Sequence, residues 1–309
     1  VADLDDLLVK TSRTFALSIP PLPEPTRREV TVAYLLFRLI DTVEDASHWP
    51  QRRRVEALAA FRELLFNSSP DEAAELSRLW QDEEISAHAG YRELVAELPA
   101  VLAAHRALGP AVSGAIASHV SRCAEGMARF VSRTDASGQL RLSSLDELQR
   151  YCYVVAGIVG EMLTELFLLD APQLDALAAE MRPRAATFGE GLQLVNVLKD
   201  AGDDAREGRR YLPEAVGAEA VFSLARRDLG VAGEYVHALQ AAGAPRGFVE
   251  FTALPVRLAW ATLEVVERHG PGAKLSRARV LGIRADLDRA LRRGAPAVTT
   301  PTTTLQGGA

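Results

Sequence analysis

An all-α fold, built as one large helical domain, is what this sequence predicts, and three observations carry the prediction. Leu, Ala, Arg and Glu are abundant, all of them good helix formers, while runs of β-branched residues are few and short. Apolar residues recur at three- and four-residue steps along most of the chain, the period of a helix with one buried face. No internal repeat or long linker divides the 309 residues, 48% of them hydrophobic, so the chain can bury a large core.

The elements follow in order. After a short helical start, Ser18-Ile-Pro-Pro-Leu-Pro-Glu-Pro25 cannot continue a helix, because each proline lacks an N–H and restricts the residue before it. From Thr26 to about Ala46, Val30, Ala33, Tyr34, Phe37 and Ile40 mark a helix that ends near Ser47-His-Trp-Pro50. Amphipathic helices are predicted at about 51–66, 72–84, 91–106 and 111–131, the third of these closed by Gly109-Pro110. Ser144-Leu-Asp-Glu147 fits a capping box and opens a long helix to about Leu169, almost entirely apolar from Tyr151 to Gly160. A helix from about Arg184 to Asp204 is stopped by Gly208; others are predicted at about 215–229, 231–242, 246–269 and 277–293. No strand is predicted. Thr299–Ala309, rich in Thr and Gly, has too little apolar content to pack, so the expected division is a helical domain over 1–295 and a disordered tail over 296–309.

Several function classes drop out. A formal net charge of −6, with no basic block beyond Arg52, Arg53 and Arg54, gives nucleic acid nothing to bind. His48, His88, His105, His119, His237 and His269 are scattered without the spacing of a zinc site, and no glycine-rich fingerprint follows a strand as in a Rossmann domain. Cys123 and Cys152 sit in apolar helical surroundings and read as buried free thiols. No run of ~18 consecutive apolar residues predicts a transmembrane helix, and Val1–Lys10 is acidic, unlike a signal peptide. A cytoplasmic location is therefore expected, with any membrane contact peripheral.

Two segments carry chemistry. In Arg38-Leu-Ile-Asp41-Thr-Val-Glu-Asp45 the aspartates are four apart, so they project from one helix face one turn apart, with Arg38 on the same face. Like charges at that spacing repel, and the apolar stripe that buries this face raises the penalty. Carboxylates that share Mg2+ with substrate phosphate oxygens would relieve it; a solvated helix end with an Asp–Arg ion pair is the plainer alternative. Asn196-Val-Leu-Lys-Asp200-Ala-Gly-Asp-Asp204 repeats the spacing, and Gln193, Asn196, Asp200 and Asp204 fall along one stripe of an otherwise apolar helix. Two such carboxylate pairs, flanked by Arg38 and Lys199, would hold divalent ions and a diphosphate between them.

These motifs, in this order, resemble the squalene/phytoene synthases, the head-to-head prenyltransferases, and the resemblance covers about half the chain. Thr11-Ser-Arg-Thr-Phe15 is similar to that family's phosphate-contacting segment, and Tyr34 through Asp45 to its first aspartate-rich motif in a form closer to squalene synthases. Tyr151-Cys-Tyr-Val-Val-Ala-Gly157-Ile-Val-Gly160 resembles the helix lining the prenyl tunnel, and Gln193 to Asp204 with Gly208-Arg-Arg-Tyr211-Leu-Pro213 the second aspartate-rich motif. Phe251-Thr-Ala-Leu-Pro255 and Leu258-Ala-Trp-Ala-Thr-Leu263 resemble the late tunnel helix weakly.

The resemblance implies an isoprenoid-synthase-type bundle with a central apolar cavity. It implies Asp41, Asp45, Asp200 and Asp204 as Mg2+ ligands, and Ser12, Arg13, Arg38, Asn196 and Lys199 as phosphate contacts, with Gln193 and Arg209 also binding substrate. Tyr151 matches the tyrosine tied to proton removal, and Phe15, Tyr34 and Tyr211 would shape the site near the reacting carbons. Without the resemblance Tyr151 reads as a core tyrosine, Gly157 and Gly160 as helix-packing glycines, and Phe251 and Trp260 as core.

Asp203 and Lys199 stand where the family commonly has glutamate and arginine. Charge is preserved, but lysine loses the planar fork that grips two oxygens. The implied activity is coupling of two farnesyl diphosphates through presqualene diphosphate to squalene. Phytoene or dehydrosqualene synthesis, a terpene cyclase or head-to-tail prenyltransferase, and a non-catalytic prenyl-diphosphate binder are the alternatives. NADPH would serve only the squalene branch; Lys274 to Arg279 is either a contact for its phosphates or an exposed charged loop.

Overall fold

The computed structural model describes residues 3–12, 14–67, 69–135 and 139–299. The N-terminal part is α1 (Leu4–Thr11), α2 (Phe15–Ser18), α3 (Thr26–Asp45), α4 (Gln51–Asn67), α5 (Pro70–Asp82), α6 (Ala89–Ala96), α7 (Leu98–Arg106) and α8 (Pro110–Val131). Next come α9 (Leu145–Cys152), a π-helical turn (Tyr153–Gly157) and α10 (Ile158–Asp170), which run on as one rod. After a short 3-10 segment, α11 (Ala178–Arg206), α12 (Ala218–Ala241), α13 (Arg246–His269) and α14 (Arg277–Arg292) complete an all-helical bundle.

Helix starts follow local chemistry. Asp3, Ser69, Ser144 and Ser276 each accept a hydrogen bond from a first-turn N–H, satisfying donors that have no partner inside the helix. At α9 the capping box differs in one detail: the Glu147 carboxylate reaches back to the N–H of Ser143 (2.7 Å) rather than of Ser144.

Three boundaries depart from the sequence expectation. The helix predicted at 91–106 is broken at Glu97, because Pro99 opens α7 and cannot continue α6. The two helices predicted either side of Gly230 are one, α12; Gly230 faces open space and its helix penalty of ~1 kcal/mol does not break a well-packed rod. The second aspartate-bearing helix starts at Ala178 and runs through Pro183. A two-residue parallel pairing that was not predicted joins β1 (Leu140–Arg141) to β2 (Arg209–Arg210).

The tail boundary also moves. Ala297 is buried, its N–H donates to Gln240 Oε1 (2.8 Å), and its carbonyl accepts from Arg257, so the packed chain extends past residue 295. The rest of the predicted tail, 300–309, lies outside the described residues.

The rod Leu145–Asp170 lies at the centre, against α8 and α11. By length and composition alone it could cross a membrane. Here it is the core helix. Two glycines let α11 approach it: a Cβ on Gly160 would sit 2.0 Å from the Ala185 carbonyl oxygen, and one on Gly189 2.0 Å from that of Ala156. Gly160 therefore serves close packing, while it also lines the cavity described next.

Candidate active site

The last turns of α3 and α11 end at one cleft of about 750 Å³. Asp41 and Asp45 stand on one side, Asp200 and Asp204 on the other, and Arg209 joins the two pairs. Its Nη1 lies 3.1 Å from Asp45 and its Nη2 3.6 Å from Asp204 and 2.5 Å from Glu207. Arg209 is held there by β2, whose pairing with β1 includes the Leu140 N–H to the Gly208 carbonyl at 3.1 Å.

Arg38 Nη1 is 3.4 Å from Asp41, and its guanidinium packs between the Tyr34 and Tyr91 rings at 5.6 and 5.5 Å. Lys199 reaches both Asn196 Oδ1 and Asp200 at 3.1 Å. Ser12, Phe15 and Gln193 line the same cleft. Ser12 Oγ accepts from the Phe15 N–H (2.9 Å) and so fixes the start of α2. Arg13 lies outside the described residues.

Tyr151 and Tyr211 form the back wall. Their rings stack at 4.4 Å and the Tyr151 hydroxyl donates to that of Tyr211 at 2.9 Å. Burial, with the nearby Glu44 charge, holds both phenols well above their ordinary pKa, so both are neutral hydroxyls.

The carboxylates are perturbed in the same direction. Burial pushes Asp41 up to about 6, against the pull of Arg38, and Asp204 up to about 6, against the pull of Arg209. Asp45 is raised as well, again by burial, with Arg209 and Arg38 opposing. Negative charge here exceeds what Arg38, Lys199 and Arg209 balance, and a cationic ligand would relieve the excess. Among the described residues no three His, Cys, Asp or Glu side chains converge as a closed metal cage. The donor set instead suits Mg2+, a hard ion that takes one or two carboxylates and completes its shell with water and phosphate oxygens.

Behind the cleft, and sharing Phe15, Arg38, Asp41, Val155, Gln193 and Asn196 with it, lies an apolar cavity of about 220 Å³. Tyr34 opens onto this cavity, and its hydroxyl donates to the Thr11 carbonyl at 2.8 Å. Phe15 packs on Tyr34 and Phe251 at 5.4 and 6.4 Å, and Phe251, a buried residue, also lines the cavity.

Sequence reasoning missed Glu44, Arg54 and Tyr91. Glu44 sits inside the first motif and lines the cleft; burial, with the Asp45 charge, raises it to about 8. Arg54, 5% exposed, donates to the Glu44 carbonyl at 3.0 Å. Tyr91 completes the stack on Arg38. Arg54 and Tyr91 come from α4 and α6, and no local pattern marks either one.

A helical bundle with two facing aspartate pairs at the mouth of an apolar cavity is an isoprenoid-synthase-type fold. The chain belongs to the squalene/phytoene synthase family, whose profile matches residues 8–284. The squalene synthases of Bos taurus and Homo sapiens are 31% and 30% identical to it over 70% of this chain and 47% of each relative. Botryococcus squalene synthase of Botryococcus braunii is 29% identical over 71% of this chain and 44% of that protein. The chain thus spans about half the length of the curated relatives it matches.

Among solved structures, a ligand complex of TcSQS superposes with a TM-score of 0.73 at 25% identity, covering 94% of this chain and 87% of that one. A dehydrosqualene synthase in complex with ligand shares the fold, with a TM-score of 0.55 at 18% identity over 94% of this chain and 95% of that one.

Proposed function

We propose that this protein couples two farnesyl diphosphates head to head, with Mg2+, through presqualene diphosphate to squalene. The observation that carries the proposal is Arg209 spanning Asp45 and Asp204: the two aspartate pairs lie within one guanidinium of each other, above an apolar cavity.

Asp41 and Asp45 from one side and Asp200 and Asp204 from the other would hold the metal ions. When bound, Mg2+ supplies positive charge to the departing diphosphate and so promotes ionisation of the allylic substrate. Arg38, Lys199 and Arg209 bind the remaining phosphate oxygens. The cavity walls keep water from the carbocation, and the faces of Phe15, Tyr34 and Phe251 attract its charge. Tyr151 relays the proton lost as the cyclopropane ring closes: its oxygen takes that proton as its own passes to the Tyr211 oxygen along the 2.9 Å hydrogen bond, and Tyr211 gives up its proton in turn to the departed diphosphate in the same cleft.

The second half of the reaction needs a hydride, assigned here to NADPH. The Gly272 N–H donates to the Lys199 carbonyl at 2.7 Å, so the basic stretch that begins at Lys274 starts beside the rim of the cleft. The proposal includes a cytoplasmic location, in keeping with two buried free thiols, and a peripheral membrane contact to release the apolar product.

Incubation with farnesyl diphosphate and Mg2+, with and without NADPH, followed by mass spectrometry, tests this. Squalene formed only with NADPH, and presqualene diphosphate without it, is the expected result. Dehydrosqualene formed without reductant would move the protein to the eliminating branch of the family. Absence of any C30 product would overturn the proposal.

A pH dependence follows from the raised carboxyls. Above about pH 6 Asp41 and Asp204 are ionised and able to bind Mg2+; below it they hold protons that the metal must displace. Without metal, the folded protein holds more protons than the unfolded chain between the ordinary aspartate pKa and about 6. These two groups therefore contribute stability at low pH that is lost as pH rises through about 6. Calorimetry in the presence of a diphosphate analogue should find Mg2+ binding much stronger at pH 7 than at pH 5. Equal affinity at the two values would contradict the assignment.

A further inference from the structure

We propose that Phe188, braced by Tyr235, is the stop that sets prenyl chain length, so that the cavity takes C15 chains and refuses C20 chains. This inference rests on the farnesyl-coupling reading and deepens it.

The lining on α11 is one stripe running from Asn196 and Gln193 past Leu192 and Gly189 to Phe188. Phe188 is the lining residue of α11 farthest from Asp200. At ~1.5 Å per residue it lies ~18 Å down the helix axis from Asp200, and on α3 Val30 lies ~16 Å from Asp41. Three extended chain bonds span ~3.5 Å, so a farnesyl chain reaches ~14 Å and a geranylgeranyl chain ~19 Å. Both spacings fall between these two lengths, so the longer chain presses hardest on the residues at the far end of the stripe.

Depth limits chain length only if the floor is rigid. The cavity, at about 220 Å³, is below the ~300–1,000 Å³ of ordinary ligand pockets, so prenyl chains must push some of its walls apart. Leu163, Met162 and Val30 are aliphatic, and the first two can change rotamer. Phe188 is pinned in two ways. Its ring, 5% exposed, packs on the buried Tyr235 ring at 5.1 Å; the Tyr235 hydroxyl donates to Thr164 Oγ1 at 2.9 Å, which donates in turn to the Gly160 carbonyl at 2.9 Å. Its backbone is held by the neighbouring Gly189, in tight contact with the Ala156 carbonyl. The first contact opposes rotation of the ring and the second opposes a shift of the helix that carries it.

The test supplies equimolar farnesyl and geranylgeranyl diphosphates with Mg2+ and NADPH and measures the C40 to C30 product ratio for wild type, Phe188→Ala, Phe188→Leu and Phe188→Trp. One methylene commonly changes selectivity in an apolar pocket by ~10-fold or more, so the ratio should rise by at least ~10-fold in Phe188→Ala and less in Phe188→Leu. Phe188→Trp should lose farnesyl coupling while still consuming the shorter geranyl diphosphate.

An unchanged ratio in folded Phe188→Ala overturns the inference. If that variant fails to fold by circular dichroism, Phe188→Leu and Phe188→Trp decide: C40 gained in the first, or a shift to geranyl diphosphate in the second, supports the stop, and neither shift overturns it. Wild type making C40 as readily as C30 also overturns it. Wild type making no coupled product overturns the farnesyl reading itself, and the inference with it.

Discussion

Replacing Asp41 and Asp200 together by asparagine is expected to cut diphosphate release from farnesyl diphosphate by ~10³-fold or more, with the protein still folded. Each substitution removes one charged ligand from its side of the cleft and keeps the side-chain shape. Asp41 sits where burial disfavours its charge, which is why its pKa rises to about 6 in spite of Arg38 at 3.4 Å. A neutral isostere there removes a charge that the fold does not need. The metal-free melting temperature at pH 7 should therefore hold or rise as activity disappears, a combination that a merely structural aspartate would not produce. Turnover near the wild-type rate in the double variant would refute the assignment of these residues to metal and diphosphate.

Tyr151→Phe is expected to slow formation of presqualene diphosphate by ~10²–10⁴-fold, the usual range for losing a general acid–base group, with little change in KM. The phenyl ring can keep its stack on Tyr211 at 4.4 Å and its edge contact with Phe130 at 5.2 Å, so the wall stays in place. Only the hydroxyl, and with it the path to Tyr211, is lost. Single-turnover measurements separate this step from product release. Unchanged rates would return Tyr151 to the role of a core aromatic whose hydroxyl is merely satisfied by Tyr211. A rise in KM with kcat preserved would indicate substrate binding instead.

The sequence by itself determined the features that depend on local geometry. Helices from Thr26 and from Ser144 were legible because a 3.6-residue period and a capping serine act within a few residues, and proline at position 25 or glycine at 208 marks an end in the same way. The pairs Asp41/Asp45 and Asp200/Asp204 were legible for that reason too: a spacing of four on a helix puts both carboxylates on one face whatever surrounds them.

Tertiary structure alone decided what those faces meet. Arg209 reaches both pairs because β1, from a segment with no readable motif, pairs with β2. Arg54 and Tyr91 reach the site from α4 and α6. Gly230, a breaker by local rule, lies inside a continuous α12 because packing against α11 outweighs its propensity. The depth of the cavity, and Phe188 and Tyr235 at its floor, are set by contacts between residues distant in the chain. Side-chain contacts across helices depend on how rods settle against one another at 2–5 Å, and no period or spacing within one rod encodes that placement.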